Sequence, residues 1–252
     1  MVLQLPPQLI LRIAGFLQSE NGINTLAHTS RTVHQMLNYF LYQYNAQKSE
    51  GSALTWAARN GQTQTACMAI SAGATPLDEA LGLAAGFGHA NAVKLLVSTD
   101  GVEVNCKDSQ GQTLLSRAAS KGHEFVVRLL MESDGLLVNS RNYEFGRTPL
   151  CLASQYGHTS VVRLLLALTK VDVNSVDEYG MTPMGYAAAR GRESIVRLLL
   201  ESGRTKVNLK DAHGNSPLAL AAREGHEPVV RLLLDRTKST SMHKIQTGKR
   251  QY

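Results

Sequence analysis

Cysteine is scarce in this chain. Its 252 residues hold three, Cys67, Cys106 and Cys151, and none stands in a CxxC pair. An odd, scattered set excludes a disulfide framework or a cysteine-rich zinc module, and it points to free thiols in a reducing compartment. Long hydrophobic runs are missing as well: no stretch of about 18 apolar residues occurs, so no membrane-spanning helix is expected. The opening "MVLQLPPQLI" lacks a basic segment leading into an apolar core and a cleavage site, so no secretory leader is expected. These absences predict an intracellular protein, cytoplasmic and/or nuclear. A broad charge of one sign is also lacking. The net charge is +6, but the last 17 residues, "RTKSTSMHKIQTGKRQY", hold five Lys/Arg and no acid, against 21 basic and 20 acidic residues elsewhere. The excess therefore belongs to a basic, solvated, disordered tail over 236–252 and not to a binding face; no direct nucleic-acid binding is expected.

What is present is repetition. "GHEFVVRLLM" at Gly122 returns as "GHTSVVRLLL" at Gly157, "GRESIVRLLL" at Gly191 and "GHEPVVRLLL" at Gly225, with a weaker copy, "GHANAVKLLV", at Gly88. The glycines are spaced 34, 35, 34 and 34 residues apart. A second phrase precedes each: "GRTPLCLASQYG", "GMTPMGYAAARG", "GNSPLALAAREG" and the looser "GQTLLSRAASKG". A third, "VEVN", "LLVN", "VDVN" and "KVNL", follows, with Asn105, Asn139, Asn174 and Asn208. A fixed period of this size signals a stacked repeat architecture, in which one unit cannot bury its apolar face alone.

Each phrase has a local reason. Thr148 and Thr182 can cap a helix, and Pro149 and Pro183 suit its first turn. The helix is short, about two turns, and the glycine that follows suits a left-handed helix end. A second helix then buries Val162, Leu165 and Leu166 at helical spacing. The unit reads helix, turn, helix, hairpin loop.

The pattern G-x-T-P-L-x-x-A-A-x-x-G-H-x-x-V-V-x-L-L-L resembles the ankyrin repeat over roughly residues 50–235. The resemblance implies an all-α solenoid of about six helix-turn-helix units with hairpin loops, at 49–75, 76–107, 108–141, 142–176, 177–210 and 211–235. Departures are informative. The extra residue of the 35-residue step lies in "NSRNYEFG" and should enlarge one hairpin finger. Arg192 replaces the usual His, and Leu114 replaces Pro. Gly61 to Gly88 is only 27 residues, so the first hairpin must be short.

Residues 1–48 stand outside the period. "LPPQLILRIAGFL" places Leu9, Ile10, Ile13, Phe16 and Leu17 on one helical face. The pattern L-P-x-x-L-I-x-x-I-x-x-F-L, followed by a Ser-Arg, resembles an F-box, the segment that joins adaptor subunits of cullin–RING ubiquitin ligases. Carried over, Leu5, Pro6, Leu9, Ile10, Ile13 and Leu17 form the adaptor-facing surface. The customary acidic-Leu pair is blurred into "SENGI", and Val33-His34 stands where a Trp is frequent. The alternative is a helical cap for the solenoid. The order F-box-like segment, "LYQYN", "SALTWAARNGQ", repeats is similar to a group of fungal F-box-like ankyrin proteins, some of them proposed co-regulators beside secondary-metabolite biosynthesis genes.

Signatures of chemistry are missing. No HExxH, GxSxG, GxxxxGK[ST] or helix-opening GxGxxG occurs. His89, His123, His158 and His226 recur at the repeat period, one per unit, which suits a structural hydrogen bond at each interhelical turn and not a metal site. Cys151 has no evident base, and core packing accounts for it. The column Lys94, Arg128, Arg163, Arg197 and Arg231 is read as long side chains covering apolar surface, with Glu132 and Glu201 offering helical ion pairs four residues on. No catalytic residue, metal or cofactor is expected.

A partner is expected along the concave face built from hairpin tips and first helices, where the copies differ. The candidates are Gln110, Gln112, Arg117 and Lys121 in repeat 3, and Tyr143, Glu144, Phe145, Arg147 and Tyr156 in repeat 4. Repeat 5 adds Glu178, Tyr179, Met181, Tyr186 and Arg190, and repeat 6 adds His213 and Asn215. Aromatics are only 6% of the chain, yet five fall in repeats 4 and 5, with Arg147 among them; aromatic residues and Arg dominate protein interfaces. The sequence thus predicts a monomeric, non-enzymatic module that captures a protein partner and docks to a cullin-ligase adaptor. The alternatives are an ankyrin co-regulator without a ligase role and, remotely, a groove-based enzyme.

Overall fold

The recurring T-P-L and G-H phrases become helix boundaries in the computed structural model, which describes residues 52–236. The F-box-type surface Leu5, Pro6, Leu9, Ile10, Ile13 and Leu17 and the tail from 237 lie outside the described residues. Two bodies divide the described chain after Glu103. Among the described residues every element is helical, apart from an isolated bridge between Lys107 and Thr113.

The first body holds two helix pairs: α1 (Ser52–Asn60) with α2 (Thr63–Ser71), and α3 (Leu77–Phe87) with α4 (Ala90–Val97). Ala57, Ala58, Ala80, Ala84 and Ala85 are buried without exposure, so α1 and α3 approach closely. The glycine between the helices has a second purpose. At Gly61, φ is +67° and a Cβ would lie 2.6 Å from the His89 ring; that ring's Nε2 donates to the Arg59 carbonyl at 2.9 Å. The short hairpin expected before the second pair is reduced further, to a plain link over 72–76 with no finger.

The second body repeats the pair: α5 (Leu114–Lys121) and α6 (Glu124–Met131), α7 (Pro149–Tyr156) and α8 (Thr159–Ala167), α9 (Pro183–Ala189) and α10 (Glu193–Glu201). It ends with α11 (Pro217–Arg223) and α12, described over 227–236. First helices pack on first helices in a row α5, α7, α9, α11, and second helices form a row α6, α8, α10. The first helices begin as their sequences ask. Thr113, Thr148, Thr182 and Ser216 each accept the backbone N–H of the third residue on, and proline opens α7, α9 and α11.

The core is a column of equivalent side chains. Leu115, Leu150 and Met184 come from first helices; Val126, Val127 and Leu130, then Val161, Val162 and Leu165, then Ile195, Val196 and Leu199 come from second helices. Each such side chain contributes about 1.5–3 kcal/mol on burial. Leu166, expected among them, is half-exposed, and Val161 takes its place. At 100° per residue, Leu166 lies about 90° from the centre of the arc that Val161, Val162 and Leu165 span.

Three further details depart from or extend the sequence reading. The finger at Asn142 is one residue longer than the others: Asn142 N–H donates to Arg147, whereas Asp108, Asp177 and Asp211 donate to Gln112, Met181 and Asn215. The outer arginines pair backwards. Arg128 meets Glu124 and Arg197 meets Glu193, each at 2.8 Å, in place of Glu132 and Glu201. Helical side chains lean towards the N-terminus, and Glu preceding its cation by four is the favoured order. Finally, α8 lacks the glycine found after other second helices; Arg204 of the next repeat donates to the carbonyls of Leu166 (2.7 Å), Leu168 (3.2 Å) and Thr169 (3.2 Å) in its stead.

Candidate functional site: the finger edge of repeats 3 to 6

Each finger is a turn organised by one side chain. Oδ1 of Asp108 accepts the N–H groups of Gln110 and Gln112, Oδ1 of Asp177 those of Tyr179 and Met181, and Oδ1 of Asp211 those of His213 and Asn215, all at 2.8–3.0 Å. Asp211 is held below the usual carboxylate range: slight burial opposes this, but the donors of Asn215 and His213 outweigh it. In the longer finger Asn142 Oδ1 takes only the Arg147 N–H, at 2.7 Å.

The second carboxylate oxygen then selects a residue from the first helix. Arg117 and Tyr186 occupy equivalent positions, four residues after the capping threonine. Arg117 Nε reaches Oδ2 of Asp108 at 3.2 Å, and the Tyr186 hydroxyl donates to Oδ2 of Asp177. Repeat 6 has Leu220 there, and Asn215 Nδ2 supplies Asp211 Oδ2 instead, at 3.1 Å.

Arg147 joins repeats 4 and 5. Its Nε lies 2.7 Å from the Tyr186 hydroxyl and 3.4 Å from Oδ2 of Asp177, whose side chain is fully buried. Burial works against the guanidinium charge, but Tyr186 and Asp177 outweigh it, and the Arg147 pKa is raised further. Tyr186 is pushed well above the ordinary tyrosine range, by burial first and then by donating its proton to Asp177. The Arg147 plane also covers the Phe145 ring, 4.3 Å from its centroid, and Phe145 lies 5.7 Å from Tyr179. Tyr143 completes the ridge under Lys107 Nζ, at 4.9 Å. Tyr143 is 64% and Tyr179 47% exposed, while Phe145 is half-buried between them.

The structure divides the sequence-predicted set in two. Tyr143, Glu144, Phe145, Arg147, Glu178, Tyr179 and Met181 gather on the two central fingers, flanked by Gln110 and Gln112 on one side and His213 and Asn215 on the other. Glu144 and Glu178 are exposed and form no ion pair among the described residues. Lys121, Tyr156 and Arg190 lie at the opposite ends of α5, α7 and α9, about 12 Å away along an eight-residue helix. Tyr186 is a correction. Expected among the exposed aromatics, it is 6% exposed, because its ring lies against the Arg147 plane and its hydroxyl is bound to Asp177; it shapes the ridge without presenting itself.

Sequence reasoning missed the asparagine ladder. Asn105 Nδ2 donates to the Gly135 carbonyl and its Oδ1 accepts the Leu137 N–H; Asn139 does the same with Lys170 and Asp172, and Asn174 with Arg204 and Lys206. The signal was the period of "VN" itself. A backbone ladder runs parallel along the fingers: Tyr143 N–H donates to Gln110, Glu178 to Phe145 and Ala212 to Tyr179.

No group of His, Cys, Asp and Glu able to hold a metal occurs among the described residues. His158 and His226 donate to the carbonyls of Ser120 and Ala189 in the preceding repeat, and Arg192 lies in the same place against Gly157. Cys151 is buried beside Thr148 and Ser175; burial pushes its thiol up in spite of those hydrogen bonds, away from a thiolate nucleophile. No described helix is long and apolar enough to cross a membrane.

Three overlapping stretches, 81–177, 131–211 and 166–244, match a family model described as "Ankyrin repeats (3 copies)". No curated protein matches the chain.

Proposed function

The chain belongs to the ankyrin-repeat family, and from that premise we propose that it is a non-enzymatic protein-binding module whose partner lies across the fingers of repeats 4 and 5. The observation that carries this is the ridge of Tyr143, Phe145 and Tyr179 around Arg147. A repeat needs only its Asp or Asn and its glycine to form a finger; exposed aromatic rings at the tips add nothing to that turn. Aromatic residues held rigid by a neighbouring guanidinium lose little entropy on binding, and such residues concentrate interface energy.

The second half of the reading rests on the sequence pattern of residues 1–48 alone. There Leu5, Pro6, Leu9, Ile10, Ile13 and Leu17 engage a cullin-ligase adaptor, so that the fingers select a protein and the N-terminal segment delivers it to a ubiquitin ligase. The two halves are tested together by affinity capture of the full chain from its own cell extract. A Leu9→Asp, Ile13→Asp variant should lose adaptor and cullin while keeping the finger-bound partner. A Phe145→Ala, Tyr179→Ala variant should do the reverse, with affinity for that partner falling at least about a hundredfold, as for two interface anchors. Capture of neither adaptor nor cullin by the native chain sinks the ligase reading. Unchanged affinity of the double-alanine variant for a mapped partner sinks the finger reading.

A further inference from the structure

Lys121, Tyr156 and Arg190 stand apart from the finger ridge and form a row of their own. Each precedes the glycine that follows its repeat's first helix, at Gly122, Gly157 and Gly191. They therefore occupy equivalent places at the ends of α5, α7 and α9, and all three are exposed, Tyr156 by 51%. A fourth residue joins them. After the same glycine other repeats carry histidine, and His89, His158 and His226 donate to the carbonyls of Arg59, Ser120 and Ala189 in the preceding repeat. Arg192 takes that position over Gly157, where a Cβ would lie 2.8 Å from its Nε. Yet the Arg192 guanidinium forms no hydrogen bond or ion pair among the described residues, nor do the charged ends of Lys121 and Arg190. Lys121 and Arg190 suit the negative ends of their helices, but Arg192 stands at the N-cap of α10, where a cation is the disfavoured charge. The acids of this edge are already taken: Glu124 by Arg128 and Glu193 by Arg197, each at 2.8 Å, and Glu224 by Arg223 at 3.0 Å. In repeat 4 the position of Glu124 and Glu193 is held by Thr159.

We propose that this row is a second binding strip, on the helix-end side of repeats 3 to 5, and that its occupant is an acidic peptide segment in extended form. Lys121 and Arg190 take carboxylates at its two ends. Arg192 offers its planar fork to a carboxylate between them, and the Tyr156 ring receives an apolar side chain. The spacing follows from packing. Neighbouring helices lie about 8–10 Å apart, so Lys121 and Arg190, two helices from one another, are separated by about 16–20 Å. An extended chain covers that distance in about five or six residues. A nucleic acid fits less well. Its unbroken line of phosphates would meet Glu124, Glu193 and Glu224 along the same edge, whereas a short segment places single carboxylates between them. The strip also differs in sign from the ridge of Tyr143, Phe145 and Tyr179, where the unpaired charges are Glu144 and Glu178. The inference stands whether or not the central fingers bind a partner.

The experiment is an NMR titration of the isotope-labelled full chain with synthetic peptides in which two glutamates flank a leucine at varied separation. The amide signals of Lys121, Tyr156, Arg190 and Arg192 should shift, and affinity should peak at a glutamate separation of about five or six residues. Replacing both glutamates by glutamine should weaken binding about tenfold, and each of Lys121→Gln, Arg190→Gln and Arg192→His about two- to fivefold, the range of exposed charge pairs. Arg192→His gives repeat 5 the histidine of its neighbours, so its melting temperature should hold or rise while its affinity for the peptide falls. A lower melting temperature with unchanged affinity makes Arg192 a structural residue and overturns the proposal. Three other results overturn it as well: no shift at millimolar peptide, equal affinity for the glutamine peptides, or shifts confined to the fingers. Tighter binding of a single-stranded oligonucleotide of the same charge does so too, since the strip would then read phosphate.

Discussion

The Tyr186 hydroxyl donates to Oδ2 of Asp177, the same oxygen that receives Nε of Arg147 at 3.4 Å. One buried carboxylate therefore closes its own finger through Oδ1 and locks the finger of the preceding repeat through Oδ2. Tyr186→Phe leaves that oxygen with the guanidinium alone. The expected cost is about 1–2 kcal/mol in urea unfolding, with an unchanged m-value. The pH dependence has a definite sign. A tyrosine whose pKa is raised on folding stabilises the native state fully below the unfolded value near 10, and that contribution is lost as pH rises above it. The native chain should lose stability more steeply than Tyr186→Phe above about pH 10, in parallel denaturant melts. Parallel slopes would remove the hydroxyl from the account.

Arg204 replaces a missing helix-ending glycine with three charge-assisted hydrogen bonds across a repeat boundary. Arg204→Ala should cost about 1.5–3 kcal/mol, since hydrogen bonds to charged groups sit at that level. Arg204→Lys should recover only part of it, because a single ammonium cannot spread over three carbonyls as the guanidinium fork does. A chemical denaturation series of the two variants decides this.

Two finger glycines separate backbone strain from close packing. Gly111 and Gly214 have φ of +71° and +82°, but a Cβ at Gly111 would lie 2.4 Å from the Tyr143 ring, and at Gly214 it would meet nothing within 4 Å among the described residues. Gly214→Ala should cost only the left-handed penalty of about 1 kcal/mol. Gly111→Ala should cost more and should displace Tyr143, visible as a change in tyrosine fluorescence and weaker partner binding. Equal costs would mean that the ring moves aside freely.

Among the described residues the buried Ser154 hydroxyl has no hydrogen-bond partner, in a column otherwise filled by Ala119 and Ala188. Ser154→Ala should stabilise the chain, by about 0.5–1 kcal/mol, because it removes an unsatisfied polar atom and favours the helix. A lower melting temperature for this variant would show that the hydroxyl is satisfied in solution.

The helices of the repeats were legible in the sequence, since their causes are local: threonine before proline, alanine pairs where helices meet, glycine where the chain must turn left-handed. The periodic His was legible for a related reason, since a residue that recurs once per unit serves the unit. The longer finger at Asn142 followed from a single residue count. The direction of the outer ion pairs was not legible, because spacing alone cannot distinguish four residues forward from four back; the lean of helical side chains decides it. Tyr186 was misjudged because its spacing places it on the first helix, while its burial depends on Asp177 in its own finger and on the Arg147 plane that the neighbouring repeat lays against its ring. The candidate set on the first helices looked continuous in sequence, yet Lys121, Tyr156 and Arg190 are a helix length from the ridge. By itself the sequence determined which segments are helices, where they begin and stop, and that neighbouring units must stack. Tertiary structure alone decided which of the varying side chains meet, because Phe145 and Arg147 come from one repeat and Tyr179 from the next, and their approach depends on how one finger hydrogen-bonds to the other.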